Sequence, residues 1–191
     1  MPPMMDPAFP ASRRPRRRPR DGFTLIEVTI ALVVLVIGVG GALGSISTFA
    51  VLEETNRETT VAHLAARRTL EEMRAADFDE VFARYNADNA DDPAGVVSPG
   101  ASFAVDGLQA TDVDPDGVVG RIVFPVDGGG VLREDLADPG FGLPADLNAD
   151  GVTDGSDVGA SYVALPVRVI VEWRGRAGNR TFELQTLLAD G

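Results

Sequence analysis

GFTLIEVTIALVVLVIGVGGALGSISTFAVL, residues 22–52, carries one charged side chain, Glu27, followed by 25 uncharged residues from Val28 to Leu52. As a helix rising 1.5 Å per residue, the uncharged run is long enough to cross a hydrocarbon core of about 30 Å. Six arginines (Arg13, Arg14, Arg16, Arg17, Arg18 and Arg20) precede it, and Glu53, Glu54 and Glu58 follow. Arginine excess marks the cytoplasmic flank of a membrane helix, so the N-terminus is expected to stay in the cytoplasm and the chain beyond Leu52 to be exported. A cleaved secretory signal has an apolar region of only about 7–15 residues, which this run exceeds. An ordinary single-span anchor fits the length but gives no reason for Glu27, where a charge is costly unless paired.

The charges on either side of Phe23 are opposed. Residues 1–22 hold six of the 17 arginines and two of the 29 acids, net +4, which leaves net −16 for the remainder. Rich in proline and arginine and without apolar periodicity, residues 1–22 read as a disordered leader. The acidic remainder repels phosphate backbones, so no nucleic-acid binding is expected of the folded part, whereas divalent cations are attracted. Cysteine is absent, which excludes disulfides, thiolate metal sites and cysteine nucleophiles. Lysine is absent too, a compositional bias to which no function is attached.

Beyond the uncharged run, Ala62, Ala66, Leu70, Met73 and Ala76 recur at helical spacing, the apolar face of an amphipathic helix. One helix is therefore expected from about Thr24 to about Ala76, followed by a helical turn at Asp79–Arg84. Strands are expected at Ser102–Val105, Val118–Val126, Tyr162–Trp173 and Arg180–Leu188, the last two joined as a hairpin by a loop at Arg174–Asn179. Pro166 implies an unpaired edge near the start of the third. The 34 residues from Asp127 to Ala160 have little periodicity, and so long a loop is usually functional or separately stabilised. The fold class is α+β: a long N-terminal helix whose second half packs on a small antiparallel sheet. The expected division is 1–22, a leader; 23–52, a transmembrane helix; and 53–191, one exported globular domain.

The order of Gly22, Phe23 and Glu27 between an arginine-rich leader and an uncharged run resembles the class III signal of type IV prepilins and pseudopilins. Ala31–Gly41 and Ala65–Arg74, with no proline between Phe23 and Phe78, are more similar to minor pilins of the pilus-modification type, or to minor pseudopilins of type II secretion, than to major pilins. The resemblance implies a pilin-like roll, and cleavage by prepilin peptidase after Gly22 to leave Phe23 as an N-methylated terminus. It also implies a single pass through the inner membrane, then a place among other subunits in a periplasmic or extracellular filament. Glu27 would there be held by a neighbouring subunit's terminal ammonium, two charges that are each costly alone.

Asp146–Asp157 fits a twelve-residue calcium loop. Asp146, Asn148, Asp150, Asp154 and Asp157 stand at positions 1, 3, 5, 9 and 12, Gly151 at position 6, and Val152 offers its carbonyl at position 7. The stretch resembles the dockerin variant of the EF-hand loop. Gly142, Pro144 and Gly159 flank it closely and argue against the two helices a sensor needs, so a structural calcium clip is expected. A plain solvated acidic turn is the competing reading. Asp112–Gly117 begins the same way but has Gly120 and Val123 at positions 9 and 12, and reads as a turn.

No catalytic constellation stands out. His63 is the sole histidine, off the apolar helix face and expected to be solvated; no nucleophile motif accompanies it, and zinc would lack nitrogen ligands. Nothing singles out a carboxylate pair for glycoside hydrolysis. Trp173 and Phe182 read as core. A structural, non-enzymatic subunit is expected, with a membrane-tethered calcium-dependent binding module and an anchored periplasmic enzyme as the alternatives.

Overall fold

The computed structural model describes residues 22–112, 117–176 and 178–189. It divides into two compact units, Met1–Ile46 and Ser47–Gly191. Of the expected leader, only Gly22 falls among the described residues.

Helix α1 runs unbroken from Leu25 to Ala75, within one residue of its expected ends. Gly38, Gly40, Gly41 and Gly44 do not interrupt it, although each costs roughly 1 kcal/mol of helix propensity relative to alanine in water. Thr29 Oγ1 and Ser45 Oγ donate to the carbonyls four residues back, at 2.9 and 3.0 Å, so neither hydroxyl needs a partner from outside the helix. In the first unit every described residue is exposed, including Leu25 at 88% and Ile37 at 69%. A helix apolar on all sides and covered by nothing suits a solvent other than water, and this one is long and apolar enough to cross a membrane.

In the second unit, α1 turns the expected stripe inward. Ala62, Ala66, Leu70 and Met73 are buried in one cluster with Leu165, Val167, Val169, Val171 and Trp173. A 3-10 turn, Phe78–Glu80, leads into the short helix α2, Val81–Tyr85. Tyr162 ties both down: its hydroxyl accepts from the Phe82 N–H at 3.1 Å and donates to the Phe78 carbonyl at 2.5 Å. Burial raises the Tyr162 pKa above its ordinary value.

The sheet is antiparallel throughout, in the order β1 (Ser102–Phe103), β2 (Gly120–Val123), β3 (Ala164–Gly175), β4 (Gly178–Ala189). The α+β expectation holds. Two details differ. β3 and β4 pair as far as Gly175↔Gly178, so the expected six-residue loop is instead a two-residue connection with strand through Arg174 and Asn179. Gly178 lies at φ +115°, which only glycine adopts readily. β3 is also buried on more than its alternating face, because Ile170 and Pro166 are covered as well. The 127–160 segment lies over part of that second face: the Arg168 guanidinium stacks 4.4 Å from the Phe141 ring, and Gln185 Nε2 donates to the Gly140 carbonyl. Pro166 sits where β2 has ended, the last β2 pair being Val123↔Arg168, and this agrees with the unpaired edge expected there.

Candidate functional site

At the N-terminal segment, Gly22 and Phe23 precede the helix in irregular backbone and are exposed. Thr24 caps the helix: its Oγ1 accepts the Glu27 N–H at 3.3 Å. Thr24-Leu25-Ile26-Glu27 has the spacing of a capping box, a signal not used in the sequence reading. Glu27 lies in the first turn of α1, where the helix dipole favours a carboxylate. The residue therefore has a local stabilisation of its own.

In the acidic loop, Asn148, Asp150, Asp154 and Asp157 lie on one largely exposed excursion between two buried anchors, Leu147 and Val158, and Asp146 stands exposed just before the first of them. Asp146 Oδ2 accepts the Gly151 N–H at 2.9 Å, a bond between positions 1 and 6, and Gly151 takes φ +84° for the sharp turn there. Asn148 Oδ1 accepts from Asp150, Asp150 Oδ1 from Val152, Asp154 Oδ1 from Ser156 and Asp157 Oδ1 from Gly159, all at 2.7–3.0 Å. Each side chain thus spends one oxygen on its own turn. The Ser156 hydroxyl and N–H hold the Asp154 carboxyl below its ordinary pKa. Among the described residues, however, no three carboxylate or imidazole groups converge closely enough to hold a metal ion. The position-1 and position-6 geometry fits a cation loop; the carboxylates are not gathered.

Much of what the cation was expected to do is done by other groups. The 127–160 segment buries Leu132, Phe141, Leu143, Leu147 and Val158, and the Leu147 carbonyl accepts the N–H groups of Val163 and Ala164 at 2.8 and 3.0 Å. Glu134, 1% exposed, turns Oε1 onto the Leu147 and Asn148 N–H groups at 2.7 and 3.0 Å. A buried carboxylate on backbone donors fixes the start of the excursion; one Glu among several acids gave no sequence signal for this. Arg133 bonds Asp135 and Asp127 at 2.7 and 3.5 Å, and its guanidinium fills the space where a Cβ on Gly155 would go. The Gly129 and Val131 N–H groups hold the Asp127 carboxyl below its ordinary pKa, with Arg133 adding to the effect.

His63 is half-buried rather than freely solvated, its ring edge-on to Phe182 at 5.4 Å; the β4 aromatic crosses the helix flank the sequence reading left to water. Trp173 is core, with its indole N–H donating to the buried Glu58 at 3.2 Å. Of the Asp112–Gly117 half-motif, residues 113–116 lie outside the described residues, and Asp112 is paired with Arg174 at 2.6 Å.

Residues 17–43 match the family model of the prokaryotic N-terminal methylation motif. The matched span contains Gly22, Phe23 and Glu27 together with the start of the exposed apolar helix, and it supports a type IV prepilin-like signal of a pilin or pseudopilin precursor. Comparison with the curated proteins and with the solved structures returned no match.

Proposed function

We propose that the chain is a minor, priming or tip subunit of a type IV pilus or type II secretion pseudopilus, cut by prepilin peptidase between Gly22 and Phe23 and assembled through α1. The observation that carries this reading is the coincidence of the methylation motif at residues 17–43 with a helix start at Leu25 and an uncovered apolar surface to Ile46. In this reading the apolar helix spans the inner membrane with the leader in the cytoplasm, then passes into a filament where it meets the same helix of neighbouring subunits. Glu27 takes the terminal ammonium of one of them. Mass spectrometry of protein from cells with active prepilin peptidase tests the processing step: a methylated N-terminal Phe23 is expected, and an intact leader refutes the reading.

Calcium at Asp146, Asn148, Asp150, the Val152 carbonyl, Asp154 and Asp157 belongs to the same proposal as a structural ion. Its support is the Asp146–Gly151 bond and the positive φ of Gly151. Since Leu147 and Val158 are already anchored, the ion would close only the short excursion between them. The entropic gain from closing a loop shrinks slowly with its length, so the effect is smaller than for the whole 127–160 segment.

A further inference from the structure

We propose that the outer edge of β4, over Leu184–Ala189, takes up an extended basic segment of a partner protein as an added strand. β4 ends the four-stranded sheet on one side. The N–H groups of Glu172 and Arg174 turn to the Val119 and Gln109 carbonyls, each at 2.8 Å, away from β4. Backbone donors alternate in direction along a strand, so the odd-numbered residues of β3 face β4. Through pairs such as Trp173↔Arg180 and Val167↔Thr186, the even-numbered residues of β4 face back. Glu183, Gln185 and Leu187 therefore aim their N–H and C=O groups outward, and among the described residues no backbone group meets them.

Proteins blunt an edge strand by keeping it short or by giving it proline, bulges or charge. β1, at the opposite edge, is two residues long. β4 pairs twelve residues with β3 without a slip and contains no proline. Its two charges, Arg180 and Glu183, stand in the first half, which leaves Leu184–Ala189 an uncharged open edge. A cleft flanks that half on each face of the sheet. One, of about 490 Å³, is lined by Met73, Ala76, Phe78 and Leu188; the other, of about 480 Å³, by Phe141, Leu147 and Pro166. Leu187 lines both and is 58% exposed, so the two clefts meet at the outer edge. Strand addition draws its affinity from main-chain bonds and its specificity from pockets that take alternate side chains.

Charge selects the occupant. Asp77 stands exposed in the first cleft and makes no side-chain cap bond, while Arg74 beside it is paired with Glu71 at 2.9 Å. On the other face, Asp146 lines the second cleft and Glu183 is exposed just before Gln185. Arg168 reaches that face but is stacked on Phe141. From Glu53 onward the chain has 11 arginines and 26 acids, so the wider field has the same sign and repels a second copy of the domain. A strand with apolar side chains and one basic side chain toward each face answers both clefts.

The probe is a dye-labelled peptide of valine and threonine with two arginines facing opposite sides of the strand. It is added to the full-length protein in detergent and chelator, which leaves Asp146 free of metal. Anisotropy should report saturable binding, which full N-methylation of the peptide backbone or glutamate in place of its arginines should abolish. Leu187→Pro removes an outward donor and none of the bonds to β3, so it should weaken binding about tenfold with the melt followed by Trp173 emission unchanged. Where proline shifts that melt, Leu187→Arg, which puts a repelling charge on the edge and leaves the backbone intact, should give the same loss. No binding, or binding that is as tight with the N-methylated peptide or with the variants, overturns the proposal: the acidic domain then attracts cations without offering its edge. Self-association that Leu187→Arg abolishes and the peptide does not displace assigns the edge to a second copy and overturns the partner assignment.

Discussion

Removing the Glu134 side chain should loosen the second unit more than its place in an irregular segment suggests. Glu134→Ala takes away the acceptor of two backbone N–H groups, at Leu147 and Asn148. Asn148 is half-exposed and regains water, but Leu147 is 2% exposed, and its N–H would be left without a partner. Hydrogen bonds to a charged group contribute about 1.5–3 kcal/mol each, and an orphaned buried donor keeps its full desolvation penalty. With about 0.8 kcal/mol for each buried methylene lost, the expected destabilisation is about 3–4 kcal/mol. For a domain of this size a change of 1 kcal/mol moves Tm by about 3 °C, so the melting point should fall by roughly 10 °C. Trp173 is the only tryptophan and is buried in the same core, so its emission on heating the detergent-solubilised protein follows the transition. Glu134→Gln keeps one acceptor and should lose less than half as much. A Glu134→Ala protein melting within about 2 °C of wild type would show that the two backbone donors are satisfied without the carboxylate, and the account of the loop anchor would be wrong.

Glu27→Ala should still insert and be cleaved, while its recovery in sheared filaments falls roughly a hundredfold, the equivalent of about 3 kcal/mol for losing one partner of a buried pair; normal recovery removes the ammonium pairing. For the acidic excursion, millimolar calcium should raise Tm relative to chelator by an amount that Asp146→Ala with Asp150→Ala abolishes, and magnesium should substitute poorly because it demands tighter geometry; identical melting with calcium and chelator, and no heat of binding, leaves a solvated turn. Asp127 has a depressed folded pKa, so its contribution to stability is complete above the unfolded value of about 3.9 and is lost as the pH falls through the folded one. Asp127→Asn should accordingly flatten acid unfolding below about pH 4 and leave its slope at pH 5–7 unchanged; an unaltered acid limb rejects the assignment.

The parts of this fold that were legible in the sequence are those with a single strong period. The uncharged run and the Ala62–Met73 stripe placed α1 to within a residue of Leu25 and Ala75, and the alternation within Tyr162–Trp173 announced β3, which runs from Ala164 to Gly175. Register at the hairpin tip was not legible, because Gly175 and Gly178 read as loop residues until they are seen facing each other across β3 and β4. The 127–160 segment was harder still. Its buried apolar residues, Leu132, Phe141, Leu143, Leu147 and Val158, stand 9, 2, 4 and 11 residues apart, a spacing with no sustained secondary-structure period, and its buried Glu134 looks like any surface acid. At the candidate site, the methylation motif at residues 17–43 was readable because such a signal is linear. The Thr24 cap is equally linear, its hydroxyl standing three residues before the Glu27 N–H that it accepts.

The pairing of the Ala62–Met73 stripe with β3 also has a temporal side. The two halves of this core are separated by roughly 90 residues of chain, from Met73 to Leu165. The hairpin that completes the core closes through a two-residue connection, but it is synthesised well after the stripe. At about 5–20 residues per second, the apolar stripe of α1 is synthesised roughly 5–20 s before the strand that covers it. During that interval the helix presents Leu70 and Met73 to whatever surrounds it, and the arrival of β3 and β4 decides whether the exposed face is closed or captured.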